Sequence, residues 1–214
     1  MNRPRIILAD DHVLLLEAIK NLLQKDFDVV GTFSDGCLLV DNAAKLNPDV
    51  IVLDIAMPQM NGLSAGQRLK QILPKVRLVY LTMNLDADVA AEAFRIGASG
   101  YVVKNSAVTE LVQAIRLALV GRTYISSLIT GDGMPGNFLH QVERNKKPNH
   151  LTLRQKEVLQ LLTEGRSMKE VAHILKVSPR TVAFHKYSIM EHLHLHSSAD
   201  LIRFAMNHSL AATA

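Results

Sequence analysis

Val50-Ile51-Val52-Leu53-Asp54 is four apolar residues ending on a carboxylate. Three other runs share that form. Ile6-Ile7-Leu8-Ala9 leads into Asp10-Asp11, Leu78-Val79-Tyr80-Leu81 into Thr82, and Tyr101-Val102-Val103 into Lys104. Short runs without alternation predict parallel strands buried on both faces. In an open α/β sheet, ligands bind beyond the carboxyl ends of the strands, near the point where strand order reverses. Three carboxylates, a hydroxyl and an ammonium at four such ends therefore converge on one pocket, able to hold a divalent cation and carry phosphoryl chemistry.

Outward from these runs, strands are read at about 5–9, 29–33, 50–54, 78–82 and 101–103. Amphipathic helices fill the gaps at 13–25, 36–46, 62–72, 86–96 and 106–119, the last with Val108, Leu111, Val112, Ile115 and Leu119 on one stripe. Five such units predict a doubly wound α/β domain over residues 1–121. Residues 122–148 break the pattern. The turn formers of Gly131-Asp132-Gly133-Met134-Pro135-Gly136-Asn137 and the charged stretch Asn145-Lys146-Lys147-Pro148-Asn149 predict a tether, with a short helix at Phe138–Arg144.

Residues 149–214 read as four helices. Thr152 caps the first, with Leu153, Val158, Leu159, Leu161 and Leu162 inside and Gly165 at its end. Ser167 caps the second, burying Val171, Ala172, Ile174 and Leu175. Ser178-Pro179 starts the third, which buries Val182, Ile189 and Leu193. Ser197 or Ser198 caps the fourth, through Leu201, Ile202 and Ala205. The three-residue turn Lys176-Val177-Ser178 makes helices two and three a helix-turn-helix.

Charge divides the same way. Residues 1–121 carry 12 Lys+Arg against 13 Asp+Glu, whereas residues 122–214 carry 12 against 7, as a nucleic-acid-binding half requires. The 214-residue chain is 48% hydrophobic, which excludes a disordered class, and its apolar runs fall far short of the roughly 20 residues that span a bilayer. Met1-Asn2-Arg3-Pro4-Arg5 leads straight into a strand without a signal-like region, and the lone Cys37, expected to be buried in a helix, suits a reducing cytosol. The expectation is a cytoplasmic protein with no membrane partner.

Hard oxygen ligands favour Mg2+. With Asp10 and Asp11 as metal ligands, Asp54 is free to act as a nucleophile and become an acyl phosphate. Lys104 and the Thr82 hydroxyl then neutralise or hydrogen-bond phosphoryl oxygens. Singly, each residue has a plainer reading: either aspartate can cap the helix at 13–25, Lys104 can be a surface lysine, and Thr82 a strand residue. Their co-occurrence argues for the pocket.

Leu8-Ala9-Asp10-Asp11-His12, Leu53-Asp54-Ile55-Ala56-Met57-Pro58-Gln59-Met60-Asn61-Gly62, Leu81-Thr82 and Val103-Lys104 resemble the receiver domain of bacterial response regulators, over residues 5 to about 120. The resemblance implies a flavodoxin-like (CheY-like) sheet and Mg2+-dependent phosphorylation of Asp54 by a partner histidine kinase. It also implies Asp54 and the Ala56 backbone carbonyl as metal ligands, a cis Lys104–Asn105 bond, and a switch in which Tyr101 moves inward as Thr82 turns to phosphate. Simple packing of Tyr101 stays open beside that switch. His12 is placed at the pocket rim.

Leu151 to Leu159, Glu164 to Ala172 and Val177 to Val182 resemble the output domain of NarL/FixJ-type (LuxR-type) regulators. This implies transcription control by a homodimer formed on phosphorylation, with the third helix in the major groove of double-stranded DNA. Family members commonly carry lysine where this chain has Ala183, and the neighbouring base-facing positions are Phe184 and Tyr187. None of the three makes the bidentate contacts that read guanine or adenine, though Ala183 and Phe184 can touch a thymine methyl. Lys169, Lys176, Ser178, Arg180, Thr181, His185 and Lys186 are the expected backbone-positioning groups. An alternative is that the C-terminal domain binds a protein partner. An aspartate-based phosphohydrolase is disfavoured because Ala56 stands where such enzymes carry a second acid; slow self-dephosphorylation remains compatible. His192, His194 and His196 are read as solvated or packed, not as a metal site.

Overall fold

A computed structural model describes residues 3–57, 60–131, 135–144 and 151–207. The chain divides into two compact units at residues 146/147.

The first unit holds β1 (Arg5–Ala9), α1 (Val13–Leu23), β2 (Asp28–Phe33), α2 (Gly36–Leu46), β3 (Val50–Leu53) and α3 (Gly62–Ile72). β4 (Arg77–Thr82), α4 (Ala87–Ile96), β5 (Gly100–Val103) and α5 (Ala107–Leu119) follow, then β6 (Tyr124–Ile125), α6 (Ser127–Thr130) and α7 (Pro135–Arg144). All strands are parallel, in the order β2-β1-β3-β4-β5-β6. Successive side chains point to opposite faces. Ile6, Leu8, Val50, Val52, Val79, Leu81 and Val102 share a core with Leu16, Ile19 and Leu23 of α1 and with Leu111, Ala114 and Ile115 of α5. The alternate residues, Ile7, Ile51, Leu53, Leu78, Tyr80 and Tyr101, are equally buried on the opposite face.

The inward stripe of α5 differs from the expected one. Ala107, Leu111, Ala114, Ile115 and Ala118 face the sheet, while Val108 is 78% exposed. A 3-10 turn at Lys104–Ser106 sets the phase of this helix, and small alanines allow close approach to β4 and β5. Cys37 is half-buried on α2 and not enclosed. The Lys104–Asn105 bond is trans, like every peptide bond among the described residues.

The expected tether is also corrected. Tyr124 and Ile125 add a sixth strand beside β5, with Tyr124 N–H donating to Ser99 O at 3.0 Å and Ser126 N–H to Tyr101 O at 2.9 Å. Phe138 of α7 meets Phe94 of α4 edge-on, 6.3 Å between centroids, and Val142 is buried. An unpaired edge of β5 and an apolar face on α4 recruit this segment into the first unit. Residues 132–134 and 145–150, which carry part of the expected turn-rich stretches, lie outside the described residues, as do Pro58, Gln59 and residues 208–214.

The second unit holds α8 (Leu153–Thr163), α9 (Met168–Leu175), α10 (Pro179–His192) and α11 (Ser198–Asn207). The Thr152 and Ser167 side chains cap α8 and α9, each in a reciprocal box with Gln155 or Glu170. The Ser167 bonds hold the Glu170 carboxyl below its usual range. Ser178 caps α10 ahead of Pro179, and Lys176 turns the chain with φ 53°. Val158, Leu159, Val171, Ala172, Val182, Ile189 and Leu201 form the core, with Leu161, Leu162, Leu175 and Leu193 packed against it. Ile174, expected inside, is exposed because the short α9 buries a narrower stripe; Ile202 of α11 is exposed as well. The Leu153 and Ala205 side chains lie outside the described residues.

Gly62 sits where α3 starts beneath the end of β3. A Cβ there would stand 2.0 Å from the Asp54 carbonyl oxygen and 2.9 Å from Ile55 Cα, both backbone atoms that cannot swing aside. Gly62→Ala is therefore expected to cost the first unit about 3 kcal/mol of overpacking strain. Urea unfolding followed by tyrosine fluorescence measures this, since Tyr80, Tyr101 and Tyr124 all report on that unit.

Candidate functional site

The order β2-β1-β3 puts the reversal between β1 and β3, since β1 leads to one side and β3 opens the other. Ala9 pairs with Leu53, so the residues after each strand, Asp10 and Asp54, emerge side by side. Asp54 N–H donates to Ala9 O at 2.8 Å, which locks that step. Neither aspartate caps α1; His12 occupies the N-cap without a side-chain capping bond, so the carboxylates are left for the pocket.

Lys104 Nζ crosses from the end of β5 to Asp10 Oδ2 at 2.7 Å and Asp54 Oδ2 at 2.8 Å. All three side chains are at most 5% exposed. Asp10 Oδ1 accepts the His12 N–H at 2.9 Å, and His12 Nδ1 lies 3.1 Å from that oxygen and 2.9 Å from Asp11 Oδ1. Asp54 Oδ1 is buried and has no hydrogen-bond partner. One donor atom from each of Asp10, Asp11, His12 and Asp54 lies within 4.8 Å of the others. Three carboxylates against one ammonium, with one buried carboxylate oxygen left unmatched, fit a divalent cation, because an unpaired buried charge is costly.

Thr82 ends β4 on the same edge, beside Val103, and its Oγ1 accepts the Asn84 N–H at 3.2 Å. Tyr101 is fully buried, its hydroxyl donating to Asn84 O at 3.0 Å. Burial, with Asp86 and Asp54 nearby, pushes the phenol well above its usual range. Asn84 thus joins Thr82 to Tyr101, a link the sequence reading missed; the turn formers Asn84 and Asp86 ahead of α4 were its only signal. Ala56 is half-buried in the loop after Asp54.

In the second unit, Arg180, Ala183, Phe184 and Tyr187 fall on one face of α10 at helical spacing, and Tyr187 is 58% exposed. Lys169, Lys176, Ser178 and Arg180 are exposed, and Lys186, half-buried, holds its ammonium 6.0 Å from the Tyr187 ring centre. Two expected backbone-positioning residues lie elsewhere. His185 is 1% exposed and Thr181 is buried, both on the core face with Val182 and Ile189, and the Thr181 hydroxyl is engaged with Ser178 Oγ at 2.8 Å. Helical phase places positions 181, 182, 185 and 189 inward once 180, 183, 184 and 187 face out.

The fold and this pair of sites define a two-domain regulator: a receiver joined to a helix-turn-helix. Residues 6–116 match the response regulator receiver domain and residues 149–205 match the bacterial regulatory proteins of the luxR family. The chain belongs to the two-component response regulators with a LuxR-type helix-turn-helix. It is 31% identical over 215 residues to the oxygen regulatory protein NreC of Staphylococcus epidermidis, covering 96% of this chain and 98% of that one. It is also 31% identical over 217 residues to the transcriptional regulatory protein DegU of Brevibacillus brevis, covering 94% and 92%. Among solved structures, RcsB from Salmonella enterica serovar Typhimurium, bound to the promoter P1flhDC with a beryllofluoride phosphomimetic, matches with a TM-score of 0.61 at 26% identity, covering 95% and 98%. No helix among the described residues is long and apolar enough to cross a membrane.

Removing the ammonium strands two buried carboxylates. Lys104→Met is expected to cost about 3–5 kcal/mol of receiver stability in metal-free buffer. Adding Mg2+ is expected to restore part of that loss; urea unfolding with and without the cation measures both effects.

Proposed function

We propose that Asp54 is the phosphoacceptor of a phosphorylation-switched transcription factor and that α10 is its DNA-reading helix. The observation that carries the first half is the buried, unmatched Asp54 Oδ1 in a pocket of carboxylates and one lysine. In this reading an Asp54 oxygen attacks the phosphorus of a kinase phosphohistidine. The P–N bond breaks, and its electron pair leaves with the imidazole, which takes a proton from solvent.

Asp10, Asp11, Asp54 and the Ala56 carbonyl would hold Mg2+. When bound, the cation neutralises the phosphoryl oxygens. Lys104 keeps its bond to Asp10 and transfers its second contact from Asp54 to a phosphoryl oxygen. The Thr82 hydroxyl leaves the Asn84 N–H and donates to phosphate. Since Tyr101 is bonded to the same Asn84, that movement shifts the loop after β4, a local charge change biasing a packed element. Ala56 offers no second carboxylate to activate water, which agrees with a regulator whose phosphoryl group is lost slowly and not with an enzyme that turns over.

On the output side, Lys169, Lys176, Ser178, Arg180 and Lys186 meet phosphates, while Ala183, Phe184 and Tyr187 face base edges. Thr181 and His185 act as packing residues that hold α10 in place. A homodimer would set two half-sites about one helical turn apart. The protein acts in the cytoplasm, with a histidine kinase as its upstream partner.

The test is selection from a random duplex library at one fixed salt concentration, with and without beryllofluoride and Mg2+, with Asp54→Asn as control. The expected result is an inverted repeat whose enrichment depends on the phosphomimetic and on Asp54, with log K falling by about 0.9 per neutralised phosphate for each log unit of salt. Enrichment equal in all arms removes the switch. No enrichment from folded protein removes DNA as the ligand and leaves a protein partner for α10. Separately, a small acyl phosphate with Mg2+ is expected to add one phosphoryl group to the wild-type chain and none to Asp54→Asn, read by intact-mass spectrometry.

A further inference from the structure

We propose that the exposed face of α10 reads thymine C5-methyl groups, so that the base positions it touches are specified as thymine by apolar contact and not by hydrogen bonding. The inference rests on the DNA-binding reading above and names the chemistry by which the helix discriminates.

Sequence is read in the major groove by a pattern of donors, acceptors and one apolar group, the thymine methyl. Guanine is picked out by the bidentate fork of arginine or by lysine, and adenine by asparagine or glutamine. Opposite the buried stripe, after the first turn, α10 carries Ala183 and Phe184, both half-buried, and the exposed Tyr187. Ala183 and Phe184 present carbon only, and Tyr187 a ring with a single hydroxyl. No cation occupies these three positions. Arg180 is in the first turn, Lys169 and Lys176 precede the helix, and Lys186 stands off the Tyr187 ring. Cations flanking a carbon-rich stretch along the chain suit a helix held by phosphates and touching methyl groups between them.

The two candidate base-edge aromatics are fixed differently. The Phe184 ring packs against the His185 ring, centroids 5.3 Å apart and tilted by 60°, and His185 is anchored in the domain core. Phe184 is thus a stiff apolar surface whose position is set from inside. Tyr187, largely in solvent, can adjust to the neighbouring base pair. Each methyl buried against such a surface contributes about fourfold in affinity.

The measurement uses the full chain with beryllofluoride and Mg2+. The duplex selected above is remade with deoxyuridine replacing thymidine at one position at a time, which deletes the C5-methyl and keeps the hydrogen-bonding edge. Affinities are read by fluorescence anisotropy at the selection salt. The expected result is a loss of about fourfold at one to three positions in each half-site and none elsewhere. Phe184→Ala or Tyr187→Ala is expected to bind thymidine and deoxyuridine equally at the position it served. Arg180→Ala is expected to weaken both duplexes alike and to flatten the salt dependence. Uridine duplexes that bind as tightly as thymidine ones overturn this inference and leave DNA binding intact. So does a methyl effect that survives in both Phe184→Ala and Tyr187→Ala. If the wild-type chain binds no duplex, the DNA reading itself falls, and this inference with it. The uridine series needs no variant, so a misfolded mutant cannot decide the outcome.

Discussion

Two carboxylates and one ammonium are withdrawn from water at the end of a parallel sheet, and much of the receiver exists to hold them there. Desolvating each ion costs several kcal/mol, which attraction offsets only when the geometry is tight. Lys104 meets Asp10 and Asp54 at 2.7 and 2.8 Å: β1 and β3 end in step at Ala9 and Leu53, while β5 runs two residues past their level, to Val103. That alignment depends on the apolar strands being buried on both faces by α1 and α5 on one side and α2, α3 and α4 on the other. A register slip of one residue would withdraw an aspartate from the pocket and turn a core side chain to the wrong face.

The same bridge leaves its arrangement incomplete. One ammonium cannot neutralise Asp10, Asp11 and Asp54, and Asp54 Oδ1 is buried without a hydrogen-bond donor. A site in this condition gains from a divalent cation. Asn84 links the hydroxyl of Thr82 to the phenol of Tyr101 through its own N–H and C=O. Asn84 therefore ties the end of β4 to Tyr101 of β5.

The output domain is organised by a different constraint. Four short helices cannot bury much surface, so capping boxes at Thr152 and Ser167 and the Ser178-Pro179 start fix where each helix begins. Those starts set the phase of α10. Once Val182, His185 and Ile189 point inward, Arg180, Ala183, Phe184 and Tyr187 must point out.

The amino-acid sequence by itself determined the first five strands of the receiver, the four strand ends that carry Asp10, Asp11, Asp54, Thr82 and Lys104, and the helix starts of the output domain. Each rests on local physics: apolar runs too short for buried helices, polar residues at their ends, and side-chain caps that satisfy backbone N–H groups one turn away. Only the tertiary structure decided what depends on distant partners. Residues 122–148 read as a tether with a short helix at 138–144; that helix is present, whereas Tyr124-Ile125 is too short to signal a strand and becomes one by pairing with β5. Val108 was placed on the inward stripe of its helix by spacing and Ile174 was read as buried, and their exposure follows from which face each helix turns to its neighbours. His185 was assigned to phosphate by its charge and lies in the core by its phase. Hydrogen bonds and caps act within a turn or two of chain, whereas burial is a property of the packed whole, and that difference separates what could be read in advance from what could not.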